Sequence, residues 1–96
     1  MLFIITAIDK PDSLALRMAT REAHFAFVGE TQTVRLAGPL LDAKGDMAGS
    51  HFIVEAADLD AVKTWHANDP YVKAGLFASS DIRPWKATVN RCEAKL

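Results

Sequence analysis

The chain has 96 residues, half of them hydrophobic, and its eleven basic and twelve acidic side chains give a formal net charge of -1. This length fits a single domain over residues 1–96, with a C-terminal tail expected from about residue 90. The balanced charge excludes a general binder of nucleic acid or anionic membranes, because both functions need a basic surface.

The chain opens with a predicted strand and helix. The isoleucine-rich residues 2–8 run into Asp9-Lys10-Pro11-Asp12, which is typical of a strand followed by a turn. Asp12 or Ser13 can cap the next helix, which is expected to end near Gly29. In this helix an apolar stripe recurs at helical spacing, as on the core-facing side of a surface helix: Leu14, Met18, Phe25 and Val28.

The remaining elements are two strands, a helix with a short extra turn, and a last strand. Strands are predicted over residues 33–37 and 50–56, on either side of a polar, glycine-containing loop. Asp58 caps the second helix, which Asp69-Pro70 ends, and Pro70 opens a short turn that closes at Gly75. The last strand covers roughly residues 78–89, and Pro84 within it indicates a sheet edge.

This order is that of the ferredoxin-like α+β fold, βαββαβ, in which both helices cover one face of a four-stranded antiparallel sheet. The first strand is apolar on both faces, and Leu2, Ile4 and Ile8 lie on one of them. Because the helices can cover only one face, the other predicts an interaction surface. We therefore expect a homodimer through the open sheet face. The alternative is a monomer with an apolar sheet.

Three polar residues of the first helix share one face, since Arg17, Arg21 and His24 follow each other at steps of four and three. Two cations beside an imidazole disfavour its protonation and can bind an anion, which predicts a histidine acid/base flanked by arginines. The same spacing is also typical of a solvated polar face. Asp69, before Pro70, is typical of a helix cap, although a carboxylate fixed in this way can also orient an imidazole.

No sequence motif indicates a cofactor, a metal or a nucleotide. His51 and His66 lack zinc-ligand spacing, and no phosphate-binding or dinucleotide-binding glycine motif is present. RNA-binding sheets can share this strand order, but they carry aromatic residues in a basic strand motif that residues 50–55 lack. We therefore expect no metal, no cofactor and no nucleic-acid partner.

The single cysteine, Cys92, cannot form an internal disulfide, which is typical of a reducing compartment. The apolar start of the chain reaches Asp9 and Lys10 too early for a signal peptide or a membrane span. These features predict a cytoplasmic protein without a membrane partner.

Short segments along the chain resemble the YCII-related (YciI-like) family in their order and spacing, over Leu2 to about Lys86. The resemblance implies a ferredoxin-like dimer of the α+β barrel type, with a pocket that holds one histidine and one aspartate. By position these are His24 and Asp69. The segments that carry it are Arg21-Glu22-Ala23-His24, Leu36-Ala37-Gly38-Pro39, Asn68-Asp69-Pro70-Tyr71, Ala74-Gly75-Leu76 and Ile82-Arg83-Pro84-Trp85.

Together these features predict a small-molecule enzyme of the isomerase or lyase kind, in which His24 is the general acid/base and Asp69 orients it or shares the proton transfer. Its ligand is expected to be a small molecule with an anionic or enolate-like oxygen. The alternative is a non-catalytic dimer that binds a metabolite or a protein. The residues predicted to bind the substrate are Arg21, Arg17, Gly38, Pro39 and Tyr71.

Overall fold

The computed structural model describes residues 1–96, which form four strands and three helices. In chain order they are β1 (Leu2–Asp9), α1 (Leu14–Thr31), β2 (Val34–Leu41), β3 (Met47–Glu55), α2 (Leu59–Ala67), α3 (Pro70–Lys73) and β4 (Phe77–Trp85). The strands pair antiparallel in the order β2-β3-β1-β4, which confirms the predicted ferredoxin-like fold. None of the helices has the length and apolar character needed to cross a membrane.

The two central strands build the core through pairs that point toward the helices. Phe3 of β1 lies opposite Val54 of β3, and Ile5 lies opposite Phe52. All four side chains are almost fully buried, and α2 packs against them. The alternate residues of β1 point to the other face of the sheet, where Ile8 is exposed.

The sheet edges differ from the predicted bounds. β2 continues through Gly38 and Pro39 to Leu41, beyond the predicted end at residue 37. Because β2 is an edge strand, the missing N–H of Pro39 need not cost a ladder hydrogen bond. β4 forms the other edge, as its proline indicated, but it ends at Trp85.

Helix α1 faces the sheet with its polar side, contrary to the prediction from its apolar stripe. Arg17 and His24 are only 3% and 5% exposed, and Val28 alone of the stripe packs against the core. The prediction was wrong because buried polar groups are tolerated when they are paired, and both of these have a carboxylate partner from a distant part of the chain. The exposed stripe residues are Leu14 (40%), Met18 (48%) and Phe25 (57%).

Candidate functional site

A cavity of about 460 Å³ lies between α1, α3 and the strands β2 and β3. It brings together residues that are far apart in the sequence. Asp69 does not line the cavity, because it is fully buried behind His24. The other six residues predicted for the site do line it: Arg17, Arg21, His24, Gly38, Pro39 and Tyr71.

His24 and Asp69 are in direct contact. Nδ1 of His24 lies 2.8 Å from Oδ1 of Asp69, and both side chains are buried. A carboxylate can only accept a hydrogen bond, so Nδ1–H donates, and Nε2 of the neutral ring carries the lone pair. Nε2 makes no hydrogen bond within the chain and is not among its buried unpaired atoms, which leaves it on the cavity side. The arrangement can therefore accept a proton from a molecule in the cavity.

The short helix α3 brings Asp69 to the middle of α1. The N–H of Asp69 donates to the carbonyl of His66 at the end of α2, and Pro70 then starts α3, which packs against α1. Oδ1 of Asp69 also accepts the N–H of Tyr71 at 2.9 Å and so caps α3. The same oxygen of Asp69 therefore caps α3 and accepts the hydrogen bond from His24. The other oxygen, Oδ2, is buried without a hydrogen-bond partner.

Arg17 forms a buried ion pair with Asp9 at the end of β1. Its Nε and Nη2 donate to the two carboxylate oxygens at 2.8 and 2.9 Å, and Nη2 also donates to Oγ of Ser50 at 2.8 Å. Asp9 therefore balances the charge of Arg17 within the protein. Arg17 lines the cavity, but it is not a free cation for a ligand.

Tyr71 connects Arg17 to His24. The guanidinium carbon of Arg17 lies 4.7 Å from the centre of the tyrosine ring, and the imidazole of His24 stacks on that ring at 4.0 Å. Burial raises the pKa of Tyr71 above its usual value of 10, against the opposing effect of Arg17 and Arg21. The phenol therefore stays protonated at neutral pH and can donate a hydrogen bond.

Two polar residues of the cavity were missed by the sequence interpretation. Ser50 is 4% exposed and accepts the hydrogen bond from Arg17. It lies two residues before Phe52 on β3, and this spacing could have placed it on the inner face. Arg35 lines the cavity from β2, at a shift of the strand register that no pattern in the sequence indicates.

The other two histidines lie outside the cavity lining. His51 is on the open face of the sheet, with Nδ1 3.1 Å from Oγ1 of Thr6. His66 is 6% exposed, and its Nε2 lies 2.8 Å from Oγ of Ser80. Burial lowers the pKa of His66 below its usual 6.5, although Asp69 opposes this effect.

Comparison with known proteins identifies relatives along most of the chain. The model of the YCII-related domain matches residues 1–86. The YciI protein of Escherichia coli O6:H1 is 36% identical over 95 residues, which cover 90% of this chain and 97% of YciI.

A solved structure resembles this chain in both sequence and fold. It is the 5-chloro-2-hydroxyhydroquinone dehydrochlorinase TftG of Burkholderia phenoliruptrix AC1100, in complex with 2,5-dihydroxybenzoquinone. The two chains are 39% identical with a TM-score of 0.84, over 90% of this chain and 94% of TftG. An antibiotic biosynthesis monooxygenase, 17% identical with a TM-score of 0.54 over 93% of this chain and 100% of its own, shares the fold alone.

Removal of the Arg17 guanidinium should destabilise the protein strongly. In Arg17→Gln the carboxylate of Asp9 stays buried without its charged partner, so we expect the free energy of unfolding to fall by about 3–5 kcal/mol in urea denaturation. The matched control is Arg83→Gln, which breaks an exposed pair with Asp81 and should cost less than about 1 kcal/mol. Similar losses in both variants would contradict the buried position of the Arg17 pair.

Burial of His66 should make folding sensitive to mild acid. The unfolded chain, with the usual histidine pKa of 6.5, binds this proton more readily than the folded chain does. The contribution of His66 to the free energy of unfolding is therefore complete above pH 6.5. Below that pH it is lost, by up to about 1.4 kcal/mol per pH unit. Urea denaturation between neutral and acidic pH should show a smaller acid loss in His66→Gln. An unchanged pH dependence would contradict this role.

Proposed function

The chain belongs to the YCII-related family, and we propose that it is a lyase-type enzyme for a small anionic molecule, with His24 as the general acid/base. The observation that carries this proposal is the orientation of His24. Nδ1 of His24 donates a hydrogen bond to Asp69, and Nε2 makes no hydrogen bond within the chain and faces the cavity. A general base must have its lone pair directed at the substrate, and such a group typically accelerates a reaction by about 10²–10⁴-fold.

The similarity to TftG supports an elimination as the reaction class. Dehydrochlorination removes a proton and a chloride from one molecule, and TftG is 39% identical to this chain. In the proposed reaction Nε2 of His24 takes the proton of a hydroxyl group. The electron pair of the broken O–H bond shifts into the ring, and the imidazolium returns the proton to the carbon that bears the leaving group. Nε2 then takes the proton of a second hydroxyl group, whose electron pair forms the quinone as the leaving group departs with its own bonding electrons. Asp69 would stabilise the imidazolium that forms, since an opposite charge favours the protonated ring.

Negative charge that develops on the substrate needs a preorganised cation or donor. Arg21 lines the cavity without a carboxylate partner, and the neutral phenol of Tyr71 can donate a hydrogen bond. We assign these two groups to the oxygen of the enolate-like intermediate. Gly38 and Pro39 would complete the wall on the side of β2.

The enzyme test compares the wild type with His24→Ala and Asp69→Asn. Halogenated hydroxyquinols serve as substrates, 5-chloro-2-hydroxyhydroquinone first, and release of halide is measured. We expect kcat to fall by about 10²–10⁴-fold in His24→Ala and by a smaller factor in Asp69→Asn. Affinity for 2,5-dihydroxybenzoquinone should remain similar to that of the wild type.

The control is Lys63→Ala on the exposed side of α2, away from both the cavity and the open sheet face, which should keep full activity. A wild-type protein that binds the quinone but turns over none of the substrates would favour the non-catalytic binding module. A His24→Ala variant as active as the wild type would also contradict the proposed role.

We also propose that the enzyme is a cytoplasmic homodimer that pairs through the uncovered face of its sheet. Ile4 and Ile53 lie opposite each other on this face, Leu36 pairs with Ile53 and is exposed, and Ile8 near the end of β1 is exposed as well. Apolar surface of this kind is stabilised by burial.

If the chain dimerises through this face, Ile4→Lys should shift the mass measured by sedimentation equilibrium from that of two chains to that of one. A monomeric wild type would contradict the proposal.

A further inference from the structure

The cavity carries positive charge that the protein does not neutralise. Fifteen residues line it, and none of them is an aspartate or a glutamate. Two of the lining residues, Arg17 and His24, are hydrogen-bonded to carboxylates, which belong to Asp9 and Asp69. The two remaining arginines of the lining, Arg21 and Arg35, form no ion pair within the chain.

These two arginines line the cavity from two different elements. Arg21 comes from α1, where its guanidinium lies 5.1 Å from the ring centre of Phe25. Arg35 comes from β2, at a break in the strand register. Val34 pairs with Val54 and Leu36 pairs with Ile53, so Arg35 is an extra residue without a partner.

Arg35 lines the cavity together with its neighbours, because the edge strand β2 borders the cavity with six consecutive residues, 34–39. In a regular strand, neighbouring side chains point to opposite faces, and Val34 packs against the core. Arg35 would then point to the open face of the sheet. A bulge re-aims a side chain, and bulges recur beside active sites for this reason. Arg35 stands at such an irregularity, and it is the second arginine of the lining that forms no ion pair.

We propose that Arg21 and Arg35 each bind one anionic oxygen of a single flat ligand, so that the substrate is a small dianion with its two acidic oxygens on separate sides. Each guanidinium can bind an oxygen anion through two N–H groups. The lining between them includes apolar side chains, among them Val28 and Met47, which fit a flat carbon framework. A ligand with a single negative charge would leave one of the two arginines without an anionic partner. The inference rests on the proposed function only in placing the ligand in the cavity of His24.

The test measures binding rather than turnover, by calorimetry with the three isomers of benzenedicarboxylate and with benzoate as the monoanion of the same ring. We expect at least one dicarboxylate to bind about tenfold or more tightly than benzoate, because it gains a second charged hydrogen-bonding group. Arg35→Gln and Arg21→Gln should each remove most of this preference. The control Arg91→Gln, in the exposed C-terminal segment, should retain it.

The inference is overturned if no dicarboxylate binds, if benzoate binds as well as all three isomers, or if Arg35→Gln keeps the wild-type preference. Its failure is separable from that of the proposed function. A protein that prefers dianions but catalyses no elimination would contradict the enzyme assignment alone. An active enzyme that needs His24 but shows no such preference would contradict the role of Arg35 alone.

Discussion

Two carboxylates determine which side of α1 faces the sheet. Asp9 at the end of β1 binds the guanidinium of Arg17, and Asp69 before α3 binds the imidazole of His24. A guanidinium or an imidazole is costly to bury without a partner, whereas a well-paired group is tolerated. The polar side of α1 can therefore pack inward, and the cavity of the candidate site forms beside it. The position of the site thus depends on these two contacts.

The buried residues of the site have different roles. Arg17 is bonded to Asp9 and Ser50 and lies against Tyr71, which in turn stacks on His24. These contacts fix the ring of His24 without using the free arginines. In the proposed mechanism His24 moves the proton, and the free cations bind the negative charge. Leu36 belongs both to the proposed dimer face and to the cavity lining, so the proposed dimer would border the cavity at the edge strand β2.

Much of the fold and part of the site could be predicted from the sequence, and the failures have identifiable physical causes. Strand alternation and turn residues gave the element order, and the resemblance pointed to His24 and Asp69, which the structure brings into contact. The apolar stripe of α1 misled the prediction because hydrophobic periodicity does not register ion pairs formed by distant residues. Arg35 was missed because a register shift is set by pairing between strands, and no local signal marks it.

The most direct test of the account is the tautomer of the His24 ring, read from the ¹⁵N chemical shifts of the folded protein under conditions in which the imidazole is neutral. The His24→Gln variant assigns the signals. If Asp69 orients His24 for proton transfer, Nδ1 carries the hydrogen and Nε2 has the shift of an unprotonated nitrogen. A ring protonated on Nε2 would present a donor to the cavity instead of a base, and it would contradict the central claim.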